Sequence, residues 1–287
     1  MNTEYKPRPW LAVLLNVFVP GLGFVYLNRL ALAAANILFF PLLLLIAGRA
    51  GLVFSAWGFL LVTLVLTCFW LASFSVVFRL ARRYSMASRG WSQRWYVLLA
   101  VGIVGYAVVQ YCMSIRGTLF GYDIFNVPGA SMETTLLVGD KFIANTLAYS
   151  GSGGSGGSGS SGAHKPQRGD VVVMQNPAQT DVKYVKRVMG LPGEQVSMRD
   201  GNVLINGKPI ADEHAFHDLA KPDQAINQAF TVPPDSYFVL GDNRNNSLDS
   251  RHFGPVPAEK IYARVELVWF SYGVASVRWD RLGLAIK

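Results

Sequence analysis

The chain has 287 residues, long enough for one or two domains, and only 15% of them are charged, whereas about a quarter are charged in a typical soluble protein. Its net charge of +8 does not form a basic stretch with interleaved aromatic residues, which argues against a nucleic-acid-binding protein. The two cysteines, Cys68 and Cys112, lie in apolar segments and exclude a disulfide framework for the rest of the chain.

Four apolar segments fill the first part of the chain, at residues 10–27, 31–47, 52–78 and 96–115. The last two each supply the roughly 20 apolar residues that a membrane-spanning helix needs. The first is shorter and is interrupted by Pro20 and Gly21. We therefore predict a membrane region over residues 1–116, with three full spans and an N-terminal hairpin, or with four spans.

An arginine cluster without acidic residues separates the last two apolar segments and consists of Arg79, Arg82, Arg83, Arg89 and Arg94. Such clusters mark the cytoplasmic side of membrane proteins. The final apolar segment then runs outward, and the rest of the chain is predicted to be extracytoplasmic. A fourth span at residues 10–27 would place Lys6 and Arg8 outside, so the hairpin is the favoured interpretation.

From Leu119 onward the sequence consists of short β-like runs separated by turn residues. The predicted strands are residues 119–127, 170–174, 182–189, 195–198, 202–205, 237–240 and 261–270. Their close spacing predicts a mostly-β domain of antiparallel sheets over residues 117–287. The fold class is thus an α-helical multi-span membrane anchor followed by that β domain.

Residues 151–162 are a low-complexity run of glycine and serine with no side chain able to pack. Natural loops are rarely so regular. We interpret the run as an engineered flexible linker that replaces a longer surface loop, and a natural low-complexity loop is the alternative. In either case we expect it to carry no chemistry.

Ser131 lies in a turn of small residues directly after a predicted strand, where a nucleophile would be accessible. Most serines in such turns are only turn residues, and no Gly-x-Ser-x-Gly motif supports a hydrolase of that type. This segment alone therefore does not indicate whether Ser131 is catalytic.

Lys186 lies in a predicted strand in which alternate residues share a face. It should point with Tyr184 and Val188, while Val185 and Arg187 point the opposite way. Burial on that apolar face would lower the pKa of the lysine and suit it to general-base catalysis. The strand pattern alone favours the simpler alternative, a lysine at a strand edge with its ammonium in solvent.

A dense polar loop at residues 241–251 lies between two apolar strands and carries both signs of charge. Such loops are often merely solvated, but so many mutually bonding groups can also form a rigid support. Together with the serine and lysine segments, and in the same order, it resembles the conserved motifs of bacterial type I signal peptidases: S-M-x-P-T-L, K-R-x-x-G-L-P-G and G-D-N-R-x-x-S-x-D-S-R. The C-terminal stretch from Arg278 to Gly283 also fits this resemblance.

The resemblance implies a Ser–Lys catalytic dyad of Ser131 as nucleophile and Lys186 as general base, within hydrogen-bond reach of each other. Ser247 would orient the lysine amine. The supporting charged residues would be Arg187, Asp242, Asp249 and Arg251, and we expect Arg187 to pair with Asp242. The linker would replace the variable loop between the serine and lysine motifs.

The oxyanion hole and substrate cleft are assigned by the same resemblance to Gly129, Ala130, Met132, Tyr184, Val185 and Leu248. Many family members have a hydroxyl residue where this chain has Gly129, so the second oxyanion donor is open. Thr134 stands where a proline is usual, which should loosen the turn slightly.

The implied function is removal of N-terminal signal peptides from exported proteins by a multi-pass serine endopeptidase of the bacterial cytoplasmic membrane. It would cut after small residues at positions −1 and −3, on the extracytoplasmic side. The expected partners are the signal peptides of preproteins, the lipid bilayer and the secretion machinery, with no nucleic acid and no cofactor.

Three alternatives remain open at this point. One is a conjugative-pilus or pilin-processing peptidase with the same dyad, and another is a non-enzymatic membrane scaffold or transporter, which the lack of charged residues in the middle of the spans disfavours. The third is a metal site at the histidines of a polar insertion, His214 and His217, but no metal is predicted because that insertion has the composition of a solvated loop.

Overall fold

The computed structural model describes residues 6–83, 90–149, 164–177, 182–199, 201–217 and 229–286. The chain divides into two compact units, one made of Met1–Val53 with Trp57–Phe120 and the other of Phe54–Ala56 with Gly121–Lys287. The predicted linker at residues 151–162 and Arg89 of the arginine cluster lie outside the described residues.

The first unit is helical, and its described helices are α1 (Pro9–Phe18), α2 (Leu22–Tyr26), α3 (Leu30–Arg49), α4 (Ala56–Arg83), α5 (Trp95–Ser114) and α6 (Arg116–Phe120). Among the described residues, α3, α4 and α5 are long and apolar enough to cross a membrane. They coincide with the three longest uninterrupted apolar segments of the sequence. That each of them crosses the bilayer, and in which direction, stays a prediction.

The predicted interruption near Pro20 and Gly21 separates α1 from α2. Gly21 has φ +93°, and a Cβ at this position would lie 2.8 Å from the Ala33 carbonyl oxygen, so only glycine fits. Its freed N–H donates to Asn16 Oδ1 at 2.8 Å, and Asn16 in turn donates to Ser73 Oγ of α4 at 2.7 Å. These bonds satisfy the broken backbone inside an apolar environment. Neither α1, with 10 residues, nor α2, with 5, is long enough to span alone.

The second unit is built from antiparallel strands. They are β1 (Tyr122–Asn126), β2 (Asp140–Asn145), β3 (Val171–Gln175), β4 (Lys183–Gly190), β5 (Gln195–Arg199), β6 (Asn202–Ile205), β7 (Lys208–Pro209), β8 (Phe230–Thr231), β9 (Ser236–Leu240), β10 (Val256–Pro257), β11 (Ile261–Ser271) and β12 (Leu284–Ala285), with a short helix α7 (Ser250–Phe253). The larger sheet has the order β1-β2-β11-β3-β4-β9-β10 with β12 on β11, and the smaller has the order β7-β6-β5-β8.

The mostly-β antiparallel prediction is confirmed, and every predicted strand has a counterpart within a few residues. The first was placed too early, because the chain is helical up to Phe120 before β1 begins. Strand β2 was missed. It lies between β1 and β11, and its buried run of Phe142, Ile143 and Ala144 is too short to show a period of two.

Apolar side chains cover both faces of the larger sheet. Alternate residues of β3 divide between two clusters: Val171 and Val173 pack with Phe142 on one face, while Val172 and Met174 pack with Val239 on the other. The neighbouring strand β4 is therefore held between two cores. A polar side chain on β4 is buried whichever way it points, unless a loop gives it access to solvent.

Candidate active site

The turn that carries Ser131 follows β1, and two of its side chains pack into the core of the β-rich unit. Met132 and Leu136 are 1% and 0% exposed and belong to the core that contains Phe142. The Leu136 N–H donates to the Met132 carbonyl at 2.8 Å and closes the turn. Ser131 is left partly exposed above it. The side chain of Met132 thus anchors the turn in the core, and a part for Met132 in the cleft stays a prediction.

Lys186 lies on β4 opposite Val172 of β3, on the face that also carries Tyr184. Its side chain is 3% exposed, so the solvated alternative is wrong. The Nζ atom donates to Ser131 Oγ at 2.8 Å and to the Val185 carbonyl at 3.0 Å. It also lies 5.3 Å from the centre of the Tyr184 ring. The expected contact between serine and lysine, 55 positions apart, is present.

Burial lowers the pKa of Lys186 to about 8 because the charged ammonium loses its hydration. The carboxylates of Asp249 and Asp242 oppose this change in pKa, whereas the positive charge of Arg251 adds to it. The amine is therefore about half neutral near pH 8, in contrast to an ordinary lysine with a pKa of about 10.4.

Arg187 points to the opposite face of β4 and forms the predicted pair with Asp242. Its Nε and Nη2 atoms each donate to one carboxylate oxygen at 2.8 Å. The two side chains are only 2% and 1% exposed. Asp242 also accepts from the Thr135 hydroxyl at 2.6 Å. A single carboxylate therefore ties the loop after β9 to β4 and to the serine turn.

Asp249 and Arg251 form a second buried pair in the same loop. Arg251 Nε and Nη2 each donate to Asp249 at 2.8 Å, and the Gly241 N–H donates to the same carboxylate at 3.0 Å. Burial by itself would raise the pKa of Asp249, but the hydrogen bonds and charge of Arg251 hold that pKa below its ordinary value. The carboxylate therefore stays charged and joins the beginning of the loop, at Gly241, to its end, at Arg251.

Ser247 is buried beside this pair. Among the described residues its hydroxyl has no hydrogen-bond partner of normal geometry, although its proximity to Asp249 helps to lower the pKa of that carboxyl. The hydroxyl is directed at Gly241, where a Cβ atom would lie 2.1 Å from it. Among the described residues there is no hydrogen bond between Ser247 and the lysine amine, so the expected role of Ser247 in orienting Lys186 stays a prediction.

Gly241 has a role that the sequence did not reveal. A Cβ atom at this position would also lie 2.5 Å from the Ser131 carbonyl oxygen. The absent side chain lets the polar loop pack directly on the serine turn, and the Asn243 N–H donates to that same carbonyl at 3.1 Å. The only available signal was a glycine placed immediately after a buried strand.

The polar insertion before β8 also contributes to the site, which the sequence analysis missed. Asp212 forms an ion pair with Arg244, a buried side chain that also donates to the Gly241 carbonyl at 3.1 Å. The Phe216 N–H donates to the Asp242 carbonyl at 2.7 Å, and its own carbonyl accepts from the Arg244 N–H at 2.9 Å. This insertion therefore braces the outer side of the polar loop.

The C-terminal stretch also contacts the serine turn at Thr135. Arg281 donates through Nη2 to the buried Asp140 at 2.6 Å and to the Thr135 carbonyl at 2.8 Å. Asp140 also accepts from the Ser271 hydroxyl at 2.6 Å and from the Leu137 N–H at 2.9 Å. Two buried carboxylates thus hold the C-terminal end of the turn, Asp242 through the Thr135 hydroxyl and Asp140 through the Leu137 N–H.

The remaining residues of the predicted cleft differ in accessibility. Gly129 is exposed, with open space where a side chain would begin, and Leu248 is 50% exposed. Tyr184 and Val185 are half-buried and face opposite sides of β4, so only one of the two side chains can line a given face. Ala130 is half-buried in the turn beside Ser131.

The backbone of β4 is open on one side near Lys186. Strand β9 pairs with Arg187, Val188 and Gly190, whereas β3 covers β4 from Lys183 to Arg187 on the other side. In the described structure, residues 183–186 therefore have no strand partner on the β9 side. A hydroxyl and a buried amine of lowered pKa next to an open strand edge can perform acyl transfer on an extended peptide.

Comparison with known proteins gives one family. The model for the family described as signal peptidase, peptidase S26, matches residues 93–270, more than half of the chain. A probable signal peptidase I-2 of Synechocystis is 36% identical over 143 residues, which cover 48% of this chain and 58% of that protein. A signal peptidase I of Leptolyngbya laminosa is 38% identical over 146 residues, or 48% of this chain and 64% of that protein.

Two further matches extend the comparison. A signal peptidase I of Pseudomonas aeruginosa is 30% identical over 188 residues, which cover 53% of this chain and 66% of that protein. A crystal structure of a signal peptidase I from Enterococcus faecalis is 34% identical, covers 35% of this chain and 97% of that chain, and has a TM-score of 0.30. The chain spans less than two thirds of the length of the first two curated relatives.

Proposed function

Since this chain belongs to the family of signal peptidases, peptidase S26, we propose that it is a membrane-bound serine endopeptidase that removes signal peptides from exported preproteins. The observation that carries the proposal is the distance of 2.8 Å between Lys186 Nζ and Ser131 Oγ, with the lysine buried. Ser131 is the nucleophile and Lys186 the general base.

In this mechanism neutral Lys186 takes the proton from Ser131 as Oγ attacks the scissile carbonyl. The tetrahedral intermediate collapses to an acyl-enzyme, and the lysine returns its proton to the departing amine. The same amine then removes a proton from the water that hydrolyses the ester. In the part of the chain that the structure describes, nothing accepts a hydrogen bond from the Ser131 N–H, so this group is free to stabilise the oxyanion.

The substrate enters as an extended segment along the open edge of β4, where its backbone adds to residues 183–186. Cleavage follows small residues at positions −1 and −3, as the resemblance to type I signal peptidases implies. The Tyr184 ring, 5.3 Å from Lys186 Nζ, and the exposed Leu248, which follows Ser247 in the polar loop, are the apolar groups assigned to substrate contact. The Arg187–Asp242 and Asp249–Arg251 pairs hold Lys186 and the serine turn at a fixed position relative to each other.

The arginine cluster orients the anchor with the start of α5 at the cytoplasmic face. Helix α5 then runs outward, and the β-rich unit works on the extracytoplasmic side, where signal peptides emerge. This topology gives three full spans, α3 to α5, with α1 and α2 as a hairpin that does not cross.

Incubation of the purified full chain with a secreted preprotein tests the activity. We expect one cut after a small residue, and no cut with Ser131→Ala, which removes the nucleophile but leaves the turn in place. Cleavage of a pilin precursor but not of the preprotein would favour the pilin-processing alternative, which the names of the relatives do not support. Cleavage by Ser131→Ala at an undiminished rate would overturn the mechanism.

Gly129→Ser is expected to raise kcat by about tenfold, because it adds an oxyanion donor of a kind worth 100-fold or more when optimally placed. Position 129 is exposed and has free space for a side chain, so the change should not disturb the fold. Gly129→Ala is the matched control and should leave kcat within about twofold, since it adds the Cβ without the hydroxyl. Equal kcat values for the two variants would contradict a donor role at this position.

A further inference from the structure

A groove of about 840 Å³ runs between the α1–α2 segment and α5 inside the helical unit. Its walls are largely apolar and include Leu15, Leu22, Leu98 and Ile103. Gly102 of α5 also lines it, and the nearest atom to a Cβ added there would be Leu22 Cδ2 at 3.9 Å. The missing side chain at Gly102 therefore leaves part of the groove open.

One end of this groove is polar. Arg8 and Gln93 line it there, one residue before the start of α1 and two before the start of α5. The Arg8 N–H donates to the Tyr26 hydroxyl at 3.2 Å, and Gln93 Nε2 donates to the Tyr26 carbonyl at 3.2 Å, which joins the two sides of the groove. Trp95 at the same end is 71% exposed. Arginine and tryptophan at the ends of spanning segments lie at the boundary between membrane and water.

Among its described residues, the helical unit supplies no carboxylate as a counter-charge to this end. Residues 5–122 contain neither aspartate nor glutamate, and the exposed Arg8 side chain has no ion pair in the described part of the chain. A cation at the membrane boundary without a protein carboxylate attracts the phosphate of an anionic lipid, and basic pockets between membrane helices bind such headgroups.

The length of the groove fits a lipid better than a second helix. It follows α5 from Trp95 to Tyr106, about 16 Å at 1.5 Å per residue. That is about half of the roughly 30 Å hydrocarbon core, or the depth of one leaflet. A spanning helix from another protein would need the full thickness.

We propose that this groove binds one anionic phospholipid, with the phosphate at Arg8 and an acyl chain along Leu15, Leu22 and Ile103. Native mass spectrometry of the full chain tests this after reconstitution in vesicles of equal phosphatidylglycerol and phosphatidylcholine with identical chains. We expect one retained lipid per protein, with phosphatidylglycerol favoured about fivefold, the factor that one cation near an anionic surface contributes.

Two pairs of variants distinguish the contribution of the lipid headgroup from that of the acyl chain. Arg8→Gln should remove the preference for phosphatidylglycerol, whereas Arg49→Gln, a change at an exposed arginine that does not line the groove, should keep it. Gly102→Leu should lower retention of both lipids by filling the groove, whereas Ala100→Leu on the exposed side of α5 should not. Equal retention of the two lipids by the unmodified chain, an unchanged preference in Arg8→Gln, or a bound peptide in place of a lipid would overturn the proposal.

Discussion

Lys186→Arg is expected to lower kcat/KM on a peptide with alanines at positions −1 and −3 by at least about a hundredfold, the lower end of what a general base contributes. Arginine keeps the positive charge and a similar reach, but it cannot lose its proton in a protein. The matched control is Lys208→Arg, an exposed lysine on β7 of the smaller sheet, which should leave the activity nearly unchanged. If Lys186→Arg retained more than about a tenth of the activity, Lys186 would be supplying charge and not base catalysis.

The pH dependence of the unmodified enzyme gives an independent measure of the same role. Burial lowers the pKa of Lys186 to about 8, so the neutral and active form is the minority below that pH and the majority above it. The value of kcat/KM should therefore rise about tenfold per pH unit at low pH and level off above about pH 8. A profile that stays flat from pH 6 to 9 would contradict a titrating base with this pKa.

The sequence predicted the parts of the site that depend on local periodicity. Alternation along β4 separated Lys186 from Arg187 and placed the lysine with Tyr184, and the structure has this arrangement. The pairing of Arg187 with Asp242 came from the resemblance of the motifs and is also present. In both cases a two-residue period or a motif contained the necessary information.

The parts that the sequence did not predict depend on contacts between distant segments. The resemblance assigned Met132 to the cleft without indicating that the turn directs its side chain into the core. The ion pair between Asp212 and Arg244 joins residues 32 positions apart, and the insertion that carries Asp212 has the composition of a solvated loop. Neither arrangement leaves a periodic signal, because tertiary packing determines both.

Ser247 shows a third reason why the sequence could not predict the whole site. Its position in the motif was recognised, but the direction of its hydroxyl depends on the close approach of Gly241 and on the neighbouring Asp249 carboxylate. A motif specifies which residue is present and leaves the rotamer to the packing around it. A role for Ser247 in orienting Lys186 would require a rotation of this side chain when substrate is bound.

Asp242→Ala is expected to lower the free energy of unfolding by about 3–5 kcal/mol, because it leaves the buried guanidinium of Arg187 without its carboxylate. The Gly169 carbonyl and the Thr135 hydroxyl accept hydrogen bonds from that guanidinium at 2.7 and 3.2 Å, but neither carries a charge that would replace the carboxylate. Denaturant unfolding of the full chain in detergent, followed by tryptophan fluorescence, measures the change. Asp280→Ala removes an exposed carboxylate and should change the free energy by no more than about 0.5 kcal/mol.

Loss of a buried charge partner can be separated from loss of packing with a double variant. Arg187→Met combined with Asp242→Leu removes both charges and keeps apolar volume on β4 and in the polar loop. Buried ion pairs replaced in this way are often neutral or stabilising, so the double variant should be more stable than Asp242→Ala alone. It should nevertheless cleave preprotein poorly, because Asp242 also binds Thr135 of the serine turn. A double variant as unstable as Asp242→Ala would mean that packing around Asp242, and not the unpaired charge of Arg187, determines the stability of this unit.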